Sequence, residues 1–140
     1  MDRRIFLLSG FALAGCGGAS EGQVVICDPL LAGPLGRALA GQDAVAAIIL
    51  PRASPQALLE PAEQQRSALV VTRYSLIANR LQRLGYVRLE HRWQTQIDGQ
   101  TVQVAVTRGG GAAQRRALRL ARWLVSEDAA PLLGNATTAP

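Results

Sequence analysis

Residues 87–106 read VRLEHRWQTQIDGQTVQVAV, and the fold turns on them. Val87, Leu89, His91, Trp93, Thr95 and Ile97 alternate with Arg88, Glu90, Arg92, Gln94 and Gln96. A period of two predicts a strand with one buried face. Asp98-Gly99 then supplies the two residues of a tight hairpin turn, after which Val102, Val104 and Val106 alternate again. His91 belongs to the apolar side of this alternation, so a half-buried histidine with satisfied hydrogen bonds is expected there.

Upstream the pattern is different. Residues 23–27, 44–50 and 67–72 are short, nearly continuous apolar runs, the kind that a parallel sheet buries on both faces. Helical stretches separate them. The first covers residues 31–39, with Gly33-Pro34 setting its start and Gly41 its stop. The second opens at Ser54-Pro55, with Ser as the cap and Pro at the first helical position, and Pro61 ends or kinks it. In the third, Ile77, Leu81 and Leu84 share a stripe and Gly85 takes the C-terminal position. Gly109-Gly110-Gly111 leads into a last amphipathic helix. Ala117, Leu118, Ala121, Leu124 and Val125 lie on one face of it and Arg115, Arg119 and Arg122 on another, a basic face expected to be solvated. These units predict an α/β domain over residues 23–134 with a largely parallel sheet flanked by helices and a β-hairpin insertion. Residues 135–140 are expected to be a disordered tail.

The N-terminus has its own logic. Met1-Asp2-Arg3-Arg4 is a basic start and residues 5–14 are apolar, too short for a span of ~20 residues but suited to a signal peptide. The run closes on Leu13-Ala14-Gly15-Cys16, a branched apolar residue, two small ones and a cysteine. That order predicts a lipoprotein signal over residues 1–15, lipidation at Cys16 and a tether over residues 16–22. Arg3-Arg4-Ile5-Phe6-Leu7 also resembles a twin-arginine export motif, with Asp2 where Ser or Thr is usual, and a plain basic start is the alternative. Two or more acyl chains make such an anchor stable. Gly17, where Asp would favour the inner membrane, tips the expectation toward the outer membrane, on the periplasmic side.

Composition narrows the chemistry. About 125 residues beyond the signal suffice for one domain with a real core. The formal charge is +5, carried by Arg with no Lys, and aromatics make up 4% of the chain, too few for base stacking. Nucleic acid is therefore not expected as a partner. With Cys16 lipidated, Cys27 has no cysteine to pair with, and its place in Val24-Val25-Ile26-Cys27 suggests a small buried hydrophobe. One Cys and one His make no metal site. The glycine run at 109–111 lacks the Gly-Lys-Ser/Thr of a phosphate loop, and Glu127-Asp128 is better explained by a helix dipole than by acid–base work. No catalytic residue, cofactor or enzymatic activity is expected.

Three segments carry a family resemblance. Val104-Ala105-Val106-Thr107-Arg108-Gly109-Gly110 resembles the strand and glycine turn that re-enter the first lobe of type II periplasmic solute-binding proteins, most closely the molybdate-binding kind. Arg119 to Gly134, RLARWLVSEDAAPLLG, resembles their closing element, with Ser126 as the cap of a short final helix. Residues 55–86 resemble the intervening helix, strand and longer helix. The resemblance implies one lobe of that fold and the role of an ABC transporter's binding component for molybdate or a similar oxyanion. Such proteins close two lobes on the solute, with mature chains near twice this length. Here one hairpin joins Leu89 to Val104, so the second lobe is missing. Oxyanion ligands are expected after the first and second strands of the family. The first has Asp28, a carboxylate that repels an anion, and the second has Ser54, more readily a helix cap than a ligand. Asp28, Ser54 and Thr72 are expected to form a shallow rim, Ser54 and Thr72 being the ligand candidates. The alternative function is an accessory or assembly lipoprotein that binds a protein partner. The expected partners are thus the membrane through Cys16, an ABC permease or another envelope protein, and a second copy that rebuilds a cleft.

Overall fold

The computed structural model describes residues 23–40, 47–64 and 66–135. The expected signal, the tether with Cys16, and residues 136–140 of the expected tail lie outside the described residues. Five strands, β1 (Gln23–Cys27), β2 (Ala47–Pro51), β3 (Leu69–Thr72), β4 (Arg92–Ile97) and β5 (Gln100–Val106), form one mixed sheet. Their order across it is β2-β1-β3-β5-β4. The helices are α1 (Pro29–Ala40), the single-turn α2 (Glu60–Glu63), α3 (Ser75–Arg83) and α4 (Gly111–Leu124).

β1 pairs in parallel with β2 and β3, whereas β5 is antiparallel to both β3 and β4. Four strands therefore point one way and β5 alone runs against them. This corrects the expectation of a largely parallel sheet with a hairpin insertion. The hairpin supplies two strands of the sheet itself, and β5 lies inside it. The two-residue turn at Asp98-Gly99 makes β5 run against β4, and its other edge pairs with β3, where Val102, Val104 and Val106 join one buried face.

Each sheet face has its own core. Val25 and Cys27 of β1, Leu69 and Val71 of β3 and the three β5 valines pack with α1 and α4. On the opposite face Ile26, Val70 and Ala105 pack with Leu58, Leu59, Ile77 and Leu81. β4 shows the alternation most plainly. Trp93 and Ile97 join the first core, while Arg92 and Gln94 on the other side bond to Gln82 and Gln103.

Several local expectations change. α1 begins at Pro29, with Gly33 and Pro34 inside it. Pro29 suits a first helical position, which has no partner for an N–H, whereas Pro34 lies past the first turn and leaves the Leu30 carbonyl without its helical N–H donor. The period-two segment becomes a strand only at Arg92. Leu89 and His91 lie in a 3-10 turn closed by the His91 amide on the Arg88 carbonyl (2.9 Å), and Leu89 is 69% exposed. His91 is half-buried as expected, but its Nδ1 is enclosed with no hydrogen-bond partner among the described residues. Leu84 is 53% exposed, because it caps α3 rather than continuing its stripe. Gly85 does end that helix. At φ +83° its amide reaches Gln82 and the Tyr86 amide reaches Leu81, the paired bonds of a left-handed C-cap. Leu120, absent from the expected α4 stripe, is buried with Ala117, Ala121 and Leu124.

The closing segment also differs. Ser126 donates its hydroxyl to the Trp123 carbonyl (2.6 Å), so it finishes α4 instead of starting another helix. A turn and the 3-10 turn Pro131–Leu133 follow. Leu133 is buried in the first core. The expected tail does not begin at Asn135. The Asn135 amide side chain donates to the Gln96 carbonyl (2.7 Å) and accepts the Gly99 amide (3.1 Å), fastening the chain to the hairpin.

Candidate functional site

The C-terminal ends of β1, β2 and β3 share one edge of the sheet, the place where an open α/β sheet offers its binding crevice. Asp28 follows β1 directly and is 1% exposed. Its Oδ1 accepts the Thr72 hydroxyl (2.9 Å), and its Oδ2 accepts the Arg73 amide (2.8 Å) and Arg73 Nε (3.1 Å). Thr72 Oγ1 in turn accepts the Tyr74 amide (3.0 Å). One carboxylate thus stitches two neighbouring parallel strands together beyond their last backbone pairing. A charge buried this deeply requires a partner, and Arg73 is that partner.

Arg73 faces outward from this seam. Its side chain is 30% exposed, Nη2 donates to the Tyr74 hydroxyl (3.3 Å), and the guanidinium carbon lies 5.3 Å from the Tyr74 ring centroid. A cation over an aromatic ring is attracted to its face. Three large apolar groups stand exposed around this seam, Leu30 at 63%, Tyr74 at 41% and Leu76 at 76%. They come from the starts of α1 and α3, which leave the sheet directly after Asp28 and Thr72.

Of the two expected ligand residues, Thr72 lies in this seam with its hydroxyl committed to Asp28. Ser54 stands apart. It caps a five-residue 3-10 helix by accepting the Ala57 amide (3.2 Å), and donates to Gln56 (3.3 Å). Asp28 does carry the expected carboxylate, but Arg73 matches its charge. Arg73 and Tyr74 went unrecognised in the sequence. The available signal was an acidic residue directly after one buried-type strand and a basic one directly after another.

Cys27 lies beneath the seam, fully buried. Burial pushes its thiol up to about 12, with the Asp28 charge adding to the effect. The thiolate is the reactive form, so this cysteine is inert at neutral pH. Among the described residues no group of three His, Cys, Asp or Glu side chains could hold a metal ion, and no helix is long and apolar enough to cross a membrane.

Two concavities lie away from the seam. One, of about 80 Å³, has a floor of Val24, Ile26 and Leu50 and a rim that includes Arg52, Glu60 and Arg66. The other, about 350 Å³ and open, lies among Asn79, Gln82, Arg83 and Arg92. The first is well below the ~300 Å³ at which small-molecule sites begin, and the second is lined by polar side chains without apolar walls. Comparison with protein-family models, curated proteins and solved structures finds no match for this chain.

Proposed function

We propose that this chain is a one-lobe relative of the type II solute-binding proteins, lipid-anchored in the envelope through Cys16, that has given up solute capture. It serves as an accessory or assembly lipoprotein and meets a protein partner at the Asp28–Arg73 seam. The observation that carries this reading is the Asp28 carboxylate, which already holds the Thr72 hydroxyl and the Arg73 amide. Those are the donors an oxyanion would need. The exposed Leu30, Tyr74 and Leu76 beside them suit a protein surface better than a hydrated anion.

Two further features support the likeness to a single lobe. β5, the strand expected to re-enter the lobe, lies within the sheet and runs against its neighbours. In place of a crossing to a second lobe, the chain turns at Asp98-Gly99, both residues at positive φ.

Isothermal titration of molybdate and sulfate into a chain starting at Gly17 tests the reading. An exposed hydrogen bond contributes ~1 kcal/mol net, and three or four fall short of the roughly −8 kcal/mol of a micromolar complex. The expected result is no binding tighter than about millimolar. Micromolar binding by a demonstrated monomer restores the other reading, uptake of an oxyanion with an ABC permease. The anchor is tested separately by fatty-acid labelling, which Cys16→Ser abolishes if the lipid is there.

A further inference from the structure

α4 runs from Gly111 to Leu124 with four arginines and no acidic residue. Ala117, Leu120, Ala121 and Leu124 form its buried side. Arg115, Arg119 and Arg122 fall at i, i+4 and i+7, directly opposite, and all three are exposed. Along the axis they cover about 10 Å. Arg122 adds positive potential at His91, in the 3-10 turn of Leu89–His91. Acidic groups near this face are few. Glu90 is tied to Arg88 (3.9 Å), and Glu127 and Asp128 follow the C-terminal end of the helix.

The topology sets where this helix sits relative to the tether. Val106 pairs with Leu69, and Leu69 with Val25, so β5 ends level with the middle of β1 and the chain runs on past Ala68 toward the edge where β1 starts. α4 therefore begins at the edge of the sheet from which residues 17–22 lead back to Cys16. Six extended residues reach about 20 Å, so a lipid on Cys16 holds this edge close to the bilayer.

We propose that the outer face of α4, centred on Arg115, Arg119 and Arg122, lies on an anionic phospholipid surface. The inference deepens the lipid-anchored reading and rests on it for its setting. Positive charge without acidic relief favours phosphate headgroups over a protein surface of mixed charge.

The test uses unlipidated protein starting at Gly17, since both cores are built from residues beyond it. Co-sedimentation is measured with vesicles of roughly one part phosphatidylglycerol to three parts phosphatidylcholine, and with pure phosphatidylcholine. The wild type is expected to bind the anionic vesicles alone and to be released by high salt. At about fivefold per arginine, R115Q/R119Q/R122Q is expected to bind about a hundredfold more weakly. R66Q/R80Q/R83Q removes the same charge from exposed positions elsewhere and is expected to retain most of the binding. Equal losses in the two triple variants, or no wild-type binding to anionic vesicles, overturn the proposal. Because this protein carries no lipid, that failure leaves the Cys16 anchor untouched, and an unlabelled Cys16 leaves the α4 result standing.

Discussion

Asp28 and Asp98 stand at the same edge of the sheet, one after β1 and the other after β4, and they secure the chain in opposite ways. Asp28 works through its side chain, buried and charged, on groups more than forty residues away. Asp98 works through its backbone. Its φ of 53° starts the turn, its amide meets the Leu133 carbonyl (2.9 Å), and its side chain is free of ladder duty. One sheet edge is thus closed in two ways, by a buried charge between β1 and β3 and by a tight turn between β4 and β5. At β1 and β3 the donors are consumed by a carboxylate, and at β4 and β5 the crossing is a two-residue turn sealed by the C-terminal segment. Both ends are finished as structure, with Leu30, Tyr74 and Leu76 left exposed beside the first.

Asp28→Ala strikes the first side hardest. It strips the Thr72 hydroxyl and the Arg73 amide of their acceptor and leaves the guanidinium unpaired. Breaking a buried pair by removing one partner costs roughly 3–5 kcal/mol, and the lower figure applies because Arg73 still reaches water. A loss of about 3 kcal/mol in urea denaturation is expected. A loss under about 1 kcal/mol breaks the comparison, since the carboxylate would then be available for a ligand.

Gly134→Ala probes the other side with a smaller effect. Gly134 sits at φ +80°, and a Cβ there meets the Asp98 carboxylate. The left-handed conformation costs a non-glycine residue about 1–2 kcal/mol, and the carboxylate must swing aside as well. Asp98→Gly, which removes both the obstacle and a positive-φ side chain, should restore part of that stability in the double variant. Simple additivity of the two changes would show that the tail and the turn are not coupled through this contact.

How far the sequence foretold this follows from the range of the forces involved. β1 was legible over residues 23–27 because a strand between two neighbours is apolar on both faces. The Asp98-Gly99 turn and the Gly85 cap were legible because each is decided within four residues. The α1 start is not legible because Gly33-Pro34 is a strong local signal, while Pro29 matters only once the strand before it is placed. Ser126 looked like an N-cap in isolation, yet the Trp123 carbonyl competes for the same hydroxyl. The seam was hidden for the same kind of reason. Asp28 reads as a repelling charge until Arg73 is brought beside it, and no periodicity encodes a partner at that distance.

The smallest effect expected belongs to a group that lacks what Asp28 has. His91 is half-buried with Nδ1 enclosed and unpartnered among the described residues, so burial favours its neutral form and lowers its pKa below the ordinary 6.5. Glu90 opposes that shift, while Arg88 and Arg122 reinforce it. A lowered pKa means that the unfolded chain binds more protons than the fold in the window just below 6.5. Stability is then complete above that value and is lost as pH falls through the folded value. His91→Gln should remove this part of the pH dependence, making the decline between about pH 7 and pH 5 shallower than in the wild type. Arg122→Gln should raise the histidine's pKa and Glu90→Gln should lower it further. The chain has a single histidine, so one imidazole resonance followed by NMR reads the wild type, Arg122→Gln and Glu90→Gln without ambiguity. A midpoint at or above 6.5 in the wild type would mean that His91 has found a hydrogen-bond partner, and the contrast with Asp28 would fall.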